Sequence, residues 1–362
     1  MRSVVEASKS TSMSVTVSGR TLSCNPWSYL RVGRGNLCKH NDSHSPEFIS
    51  QQVTNMQNVD ILLATYNGER YIDDMLKSIA DQSYTNWRLI VRDDGSVDNT
   101  IDKLQEFANR HFGKVWIISD GQNIGVVRNF ATLMSLATSE YIFFADQDDV
   151  WHPDKLVSMI SIANGSGFFN DEPVLIHTDL TVVDSDLKVI ASSFFQYQGL
   201  NPARGLLPKD LMIQNCVTGC AMMINKKLRD LSLPIPEGAC MHDWWIAMVA
   251  STFGTIKLMN KPTLFYRQHG KNDTGAKRYS IVTSVKLLGK YRTINASIRR
   301  TELQAQLFYQ RFGSSMSREE ASMMNIFASI RSHNFFMRRL IAARLNLKKH
   351  GLLRTVGFYL FL

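Results

Sequence analysis

From Val59 onward, short apolar runs alternate with stretches in which apolar residues recur every three or four positions. Val59–Ala64, Trp87–Val91, Val115–Ile118 and Tyr141–Ala145 are runs of strand length. Between them, Ile72, Met75, Leu76 and Ile79, then Ile101, Leu104 and Phe107, then Phe130, Leu133, Met134 and Ala137 keep helical spacing. This alternation predicts an α/β fold with a mixed, mainly parallel sheet flanked by helices, because parallel strands need a crossover and must be covered on both faces. Beyond Pro153 the pattern loosens. Val174–Val183 and Gln214–Ile224 read as strands, His242 opens a helix through Ile246, Val249 and Ala250, and Leu264–Gly270 closes the region with a polar tip.

Ligands of such sheets sit beyond the C-terminal ends of the strands. Polar clusters fall at three of those ends: Thr65-Tyr66-Asn67-Gly68, Asp93-Asp94-Gly95-Ser96 and Asp146-Gln147-Asp148-Asp149. The last is the most telling. A strand that ends in three acids within four positions crowds like charges that resist ionising together unless a cation joins them. A helix start at Pro153 explains one or two acids but not three. No Gly-x-Gly-x-x-Gly follows the first strand and no Walker lysine loop is present, so the common phosphate cradles for dinucleotides and ATP are missing.

Composition narrows the class. The 362 residues are 44% hydrophobic and 20% charged, as in a globular chain. No apolar run approaches the ~18 residues of a membrane span, and the N-terminus lacks a secretory layout. Five cysteines without a Cys-x-x-Cys pair argue against zinc and for reduced thiols in a cytoplasmic protein. The net charge of +9 is uneven: from Ile281 onward 14 Lys+Arg face 3 Asp+Glu, leaving 27 and 29 elsewhere. That basic segment also carries Phe, Leu and Met. It predicts helices that either pack on the catalytic domain or make peripheral contact with an anionic membrane at its inner face. Nucleic acid is not expected, since no aromatic platform accompanies the charge. Residues 1–55, rich in Ser, Thr and Asn, read as a disordered leader or an over-long start of the reading frame; a transit peptide is the lesser reading. The expected division is therefore 1–55 leader, 56–275 catalytic domain and 276–362 basic helical extension.

Val59–Asn67, Asp93-Asp94-Gly95-Ser96, Asn123–Asn129 and the 146–149 tip resemble glycosyltransferase family 2, whose members have one GT-A domain and transfer sugar from a nucleotide diphosphate with inversion. His242-Asp243-Trp244-Trp245 and Tyr266-Arg267-Gln268-His269-Gly270 further resemble bacterial members that build surface polysaccharides such as O-antigen, rhamnosyltransferases among them. The resemblance spans about Val59–Asn272. It implies a UDP- or dTDP-sugar donor, carrying rhamnose or a hexose, and a glycan or lipid-linked glycan acceptor. Thr65 and Tyr66 would line the base pocket, Asp94 would accept from the imide of uracil or thymine, and Asp146 would face the ribose. Asp148 would bind Mg²⁺ or Mn²⁺, completed by His269. Arg128 would contact the phosphates or pair with a local acid. Asp243 stands where the family supplies its general base, or else caps the helix. His242 replaces the family's more usual Glu, which leaves its role open. Trp244 and Trp245 would stack on acceptor sugar or pack inward; His177 and Asp179 are lesser candidates for sugar contacts.

Two other readings use the same residues. A haloacid-dehalogenase-type phosphatase would take Asp146 as nucleophile and Asp148 as acid/base. It would place the motif on the first strand, not the fourth, and leave the tips at 65–68 and 93–96 without a task. A non-catalytic nucleotide-sugar-binding module would keep the crevice and use Asp243 only as a cap.

Overall fold

A computed structural model of the chain describes residues 14–17, 20–23, 58–165, 172–203, 205–270 and 291–362. The expectation of a disordered leader falls mostly outside these residues. Those it does cover form a two-stranded antiparallel hairpin, β1 (Ser14–Val17) and β2 (Arg20–Ser23). The expected boundary at 275–276 likewise lies outside the described residues.

Four parallel strands begin the main sheet: β3 (Val59–Thr65), β4 (Trp87–Asp93), β5 (Val115–Ser119) and β6 (Tyr141–Asp146). They are followed by β7 (Val150–Trp151), β8 (Val174–Val183), β9 (Val189–Ala191), β10 (Met222–Asn225) and β11 (Thr255–Arg267). The order is β5-β4-β3-β6-β10-β8-β11-β7, with β9 paired to β8. β10 runs antiparallel to both neighbours, whereas β8 and β11 pair in parallel over the longest register in the sheet. The mixed, mainly parallel α/β sheet is thus observed. Its order reverses at β3 and β6, which places the switch point between the tips at Thr65 and Asp146.

Alternation within each strand explains the uninterrupted apolar runs. Ile61 and Leu63 of β3 join α1 (Ile72–Ala80), α2 (Thr100–Arg110) and α4 (Lys155–Gly165) in one core, while Leu62 points to the opposite core with α3 (Val126–Leu136). Short helices α5 (Phe194–Gln198), α6 (Pro208–Leu211) and α7 (Lys226–Ser232) precede the buried α8 (His242–Phe253). Asp60 is the one acid inside β3. It is stable there because Arg88 of β4 grips both its oxygens at 2.8 Å and the amides of Thr138 and Ser139 donate to Oδ2.

One expected strand is mostly absent. Of Gln214–Ile224, only Met222 onward is extended; Gly219–Ala221 is a 3-10 turn. The Asn215 side chain accepts from Val217 N (2.9 Å) and donates to Val217 O (2.7 Å), a local bond pair that competes with the strand ladder.

The basic extension is not separate from the rest. Helices α9 (Tyr291–Phe312), α10 (Arg318–Ala328), α11 (Phe335–Arg344) and α12 (Leu352–Phe361) contribute Phe308, Phe312, Phe327, Ala342 and Phe358 to the core that contains Leu62 and α8. Trp245, fully buried, packs edge-on against Phe308 with centroids 5.3 Å apart. Its Nε1 donates to Ser232 O at 3.0 Å. Because sheet and extension share this core, urea unfolding monitored by tryptophan fluorescence and circular dichroism is expected to show one coincident transition. Trp245→Ala should lower stability by about 3–5 kcal/mol. Two separated transitions in the wild type would overturn the shared-core account.

Candidate active site

The strand tips of β3, β4 and β6 open into one cleft of about 1700 Å³. Its lining includes Thr65, Tyr66, Asp94, Asp146, Asp148, His242, Asp243 and His269. Every residue expected to hold the donor, the metal or the acceptor's proton therefore lines this one cleft, except Arg128.

The first two tips are rigidly joined. Thr65 Oγ1 donates to Asp93 Oδ2 (2.7 Å), and Asp93 also accepts from the amides of Gly95 and Ser96. Asp93 thus shapes the loop, leaving Asp94 to face the cleft. Gln147 clamps Tyr66 through both backbone groups, accepting from Tyr66 N and donating to Tyr66 O, each at 2.9 Å. A Cβ on Gly68 would stand 2.2 Å from Gln147 Oε1, so glycine there makes room for the clamp. Asp94 is more heavily used than expected. Arg92, buried beneath it, donates to Oδ1 (2.7 Å), Ile124 N to Oδ1 (2.9 Å) and Gly125 N to Oδ2 (2.9 Å).

The acidic tip divides into three environments. Asp149 is fully buried, accepts from Arg267 N at 3.1 Å, and lies behind the cleft. It turns inward rather than into the first turn of α4. Lys155, which opens that helix, is also fully buried; its Nζ donates to Cys220 O and sits 4.1 Å from the Trp151 ring centre. Burial pushes Lys155 down to about 8, although Asp149 and Asp146 pull it up. Ligand atoms of Asp146, Asp149 and Cys220 lie within 4.8 Å of one another, but the ammonium of Lys155 already serves this group. Asp146 faces the cleft, where burial, then Asp148 and Asp243, raise it to about 7. Asp148 is the charge that bears most on both Asp146 and Asp149, and its own Oδ2 lies 2.7 Å from His269 Nε2. These two side chains are 16% and 15% exposed toward the cleft. One carboxylate and one imidazole, adjacent and open to solvent on one side, fit Mg²⁺ or Mn²⁺ that would take its remaining oxygens from water and a diphosphate.

Arg267 holds this arrangement and was not singled out from the sequence. Nearly buried, it donates from Nε to Asp148 O (2.8 Å), from Nη1 to Ser185 O (2.8 Å) and from Nη2 to Asp74 Oδ2 (2.7 Å). Its guanidinium also lies over Tyr71, against which the His269 ring stacks at 4.8 Å. Nothing in the local sequence distinguishes it from a solvated arginine.

Asp243 approaches from the other side of the cleft. Helix α8 begins after Met241, which makes no side-chain cap, so Asp243 is in the first turn and is not the cap itself. Its oxygens accept instead from Gly219 N (3.0 Å) and Asn215 Nδ2 (3.2 Å). The irregular 214–221 segment thus exists in part to hold this carboxylate. Burial still lifts Asp243 to about 7, against the pull of the Gly219 and Trp244 amides. Beside it, His242 stacks on Phe130 at 4.0 Å and burial lowers it to about 3, so the ring is neutral.

Other expectations resolve differently. Of its two readings, Arg128 shows the local one, an exposed pair with Glu237. Asp179 accepts from Leu180 N, Phe194 N, Phe195 N and Ser193 Oγ, which holds the start of α5, and it is outside the lining of this cleft. His177 is fully buried against Phe195 and outside the cleft lining. Trp245 is core, while Trp244 lines the cleft and donates from Nε1 to Leu211 O.

Sheet order, switch-point cleft and paired carboxylate sites define a GT-A glycosyltransferase. The profile of glycosyl transferase family 2 matches residues 60–231. The chain is 28% identical over 242 residues to the dTDP-rhamnosyl transferase RfbG of Shigella flexneri, covering 64% of this chain and 79% of that one. It is 36% identical over 215 residues to Bacillus subtilis TuaG, named for teichuronic acid biosynthesis, covering 58% and 78%. It is 25% identical over 188 residues to Escherichia coli WfgD, a UDP-Glc:alpha-D-GlcNAc-diphosphoundecaprenol beta-1,3-glucosyltransferase, covering 51% and 68%. The chain belongs to glycosyl transferase family 2. Its activity is glycosyl transfer, and the phosphatase reading falls.

The raised acids make a stability prediction. A carboxyl that binds its proton more tightly when folded adds stability below its unfolded pKa, and that stability is lost as pH rises toward the folded value near 7. Asp146→Asn removes that loss. Its melting temperature at pH 8 without metal is expected to exceed wild type by a few degrees, about 1–2 kcal/mol, with the difference vanishing near pH 4. A lower melting temperature at pH 8 would contradict the assignment.

Proposed function

We propose that this transferase moves rhamnose or a hexose, with inversion and with Mg²⁺ or Mn²⁺, from a UDP- or dTDP-sugar to a hydroxyl of a growing surface glycan carried on a lipid. The observation that carries this reading is Asp243 facing the acidic tip across one cleft, each side holding a carboxylate near pH 7. The names of RfbG and WfgD support the donor and acceptor classes.

In this reading the base lies against Tyr66 and Thr65. A carboxylate offers about four acceptor positions, and three of Asp94's are filled, so one remains for the imide N–H of uracil or thymine. Asp146 accepts from the ribose. The divalent ion on Asp148 and His269 would supply charge neutralisation for the departing diphosphate. Asp243 takes the proton of the acceptor hydroxyl as that oxygen attacks the anomeric carbon from the face opposite the diphosphate. Its burial suits the task, because a base near 7 is both ionised at working pH and strong enough to accept. The neutral His242 adds no positive charge of its own beside Asp243.

The reading is tested by incubating the protein with Mn²⁺ and a panel of UDP-, dTDP- and GDP-sugars and measuring released nucleoside diphosphate. Slow hydrolysis of a uracil- or thymine-based donor is expected, lost in Asp148→Ala. With an acceptor, Asp243→Asn should bind donor as wild type does yet transfer at least about a hundred-fold more slowly. Wild-type kcat/KM should fall about ten-fold per pH unit below 7, as Asp243 protonates. Transfer by Asp243→Asn at the wild-type rate would remove it as base.

No helix among the described residues is long and apolar enough to cross a membrane. Access to a lipid-linked acceptor then falls to the extension, and the reading includes peripheral contact with an anionic inner membrane face. Phe335 and Phe336 are 59% and 80% exposed on α11, and Leu352 is 77% exposed on α12. Arg339 lies over Phe335 and donates to Leu360 O, joining the two helices into one basic-apolar surface. Co-sedimentation with phosphatidylglycerol vesicles should exceed that with phosphatidylcholine and fall several-fold in Phe335→Ser/Phe336→Ser. Equal recovery with both vesicle types would end this part of the reading.

A further inference from the structure

Lys349 stands in the cleft wall, in the part of the lining that the C-terminal extension supplies, with no described acid paired to it. It is mostly buried, and among the described residues no carboxylate pairs with it and its Nζ makes no hydrogen bond. The nearest partner is the Phe358 ring, 5.7 Å away. Two further cations line the same cleft from the extension: Arg354, on the first turn of α12, and Arg300 of α9. Placing like charges together out of water is costly unless an anion joins them.

The segment that carries them is held firmly. His350 N donates to Gln214 Oε1 (2.9 Å) and His350 Nδ1 accepts from Asn201 N (2.8 Å). Arg354 Nη2 donates to Gln198 O (2.7 Å), and Arg300 Nη2 to Cys240 O (2.9 Å). Cys240 precedes α8, so these cations stand on Asp243's side of the cleft, where the attacking hydroxyl must come from. Helix α12 also links the cleft to the apolar surface: Leu353, Arg354 and Phe358 face the cleft, whereas Leu352 and Val356 are exposed. A molecule with a phosphate group and an apolar chain matches this sequence of surfaces.

We propose that Lys349, with Arg354 and Arg300, forms an anion subsite for the phosphate or diphosphate of the acceptor, separate from the donor diphosphate at Asp148 and His269. This rests on the reading of the acceptor as lipid-linked. Burial first, and then Arg354, push the Lys349 ammonium down to about 8, so a bound phosphate would also restore its charge. The site commits to the acceptor's own phosphate and not to a membrane headgroup.

The test is calorimetric binding of geranyl diphosphate in EDTA, which removes divalent ions from the donor end. Wild type is expected to bind it, to bind geraniol far more weakly, and to release it on addition of inorganic pyrophosphate. Lys349→Met should weaken binding at least about ten-fold, the worth of one charge-assisted hydrogen bond, and Lys349→Arg should restore most of it. Lys349 has no hydrogen bond to lose, so the methionine variant is expected to fold, as its melting curve will report. Equal binding by wild type and Lys349→Met overturns the subsite, as does loss of binding in Asp148→Ala. Displacement by phosphatidylglycerol vesicles but not by pyrophosphate assigns the anion to a headgroup and also overturns it. Failure of the transferase reading is separately visible: wild type would then release no nucleoside diphosphate from any donor, whatever geranyl diphosphate does.

Discussion

The constraint on which this site depends is the cost of gathering Asp146, Asp148 and Asp149 at one strand end. Like charges a few ångströms apart in a partly dry cleft cannot all ionise freely. The protein settles each one separately. Asp149 turns inward, receives the amide of Arg267, and is raised well above the usual carboxylate range, chiefly by burial. Asp148 turns toward His269. Asp146 stays in the cleft and is raised toward neutrality. Each solution fixes a different part of the fold: Lys155 opens α4, Arg267 ends β11, and Asp74 on α1 completes the grip on Arg267. The acidic tip is therefore the point through which the two halves of the sheet are tied.

The opposite wall follows the same logic with a different outcome. Asp243 also sits where charge is costly, but its partners are an amide and a side-chain amide, not cations. Such partners offset part of the desolvation without fixing the carboxylate as an anion. An arginine in place of Asn215 would hold it charged and make it a poor proton acceptor. The neutral, buried His242, stacked on Phe130 and Phe144, keeps that wall apolar in character. Carboxylates on the two walls reach similar acidity by different means, and the proposed reading gives them different work: Asp146 would meet a ribose and Asp243 would accept a proton.

The strand tips were legible because periodicity reports local structure, and residues 59–68, 87–96 and 141–149 each pair an apolar run with an abrupt polar end. Their convergence followed from the rule that parallel strands share one functional edge. The counterions were not legible. Lys155 meets Cys220, and Arg267 meets Asp74, across 65 and 193 residues, and nothing in the neighbourhood of either marks it as buried. The strand expected over 214–224 failed for a related reason. Its apolar composition was read correctly, but Asn215 and Gly219 are recruited to Asp243, and that tertiary demand overrides the local preference. Asp94 was placed correctly in the cleft, while the number of amides already on it was hidden in the fold.

The charge asymmetry seen along the chain becomes an asymmetry in space. Most of the molecule is slightly acidic, and the acids that matter stand at the tips of β3, β4 and β6; the basic excess arrives last and folds back over the same cleft through α9 and α12. The extension could have presented its cations to solvent on every side, since a shared apolar core requires only its buried face. Lys349 shows that it does not, because a lysine held in the cleft wall without a counterion contributes nothing to packing that a methionine would not. In the proposed reading a metal-borne diphosphate would meet the acidic tip and the acceptor's phosphate would meet the cations of the extension, so two anionic substrates would lie in one groove without competing for the same charges.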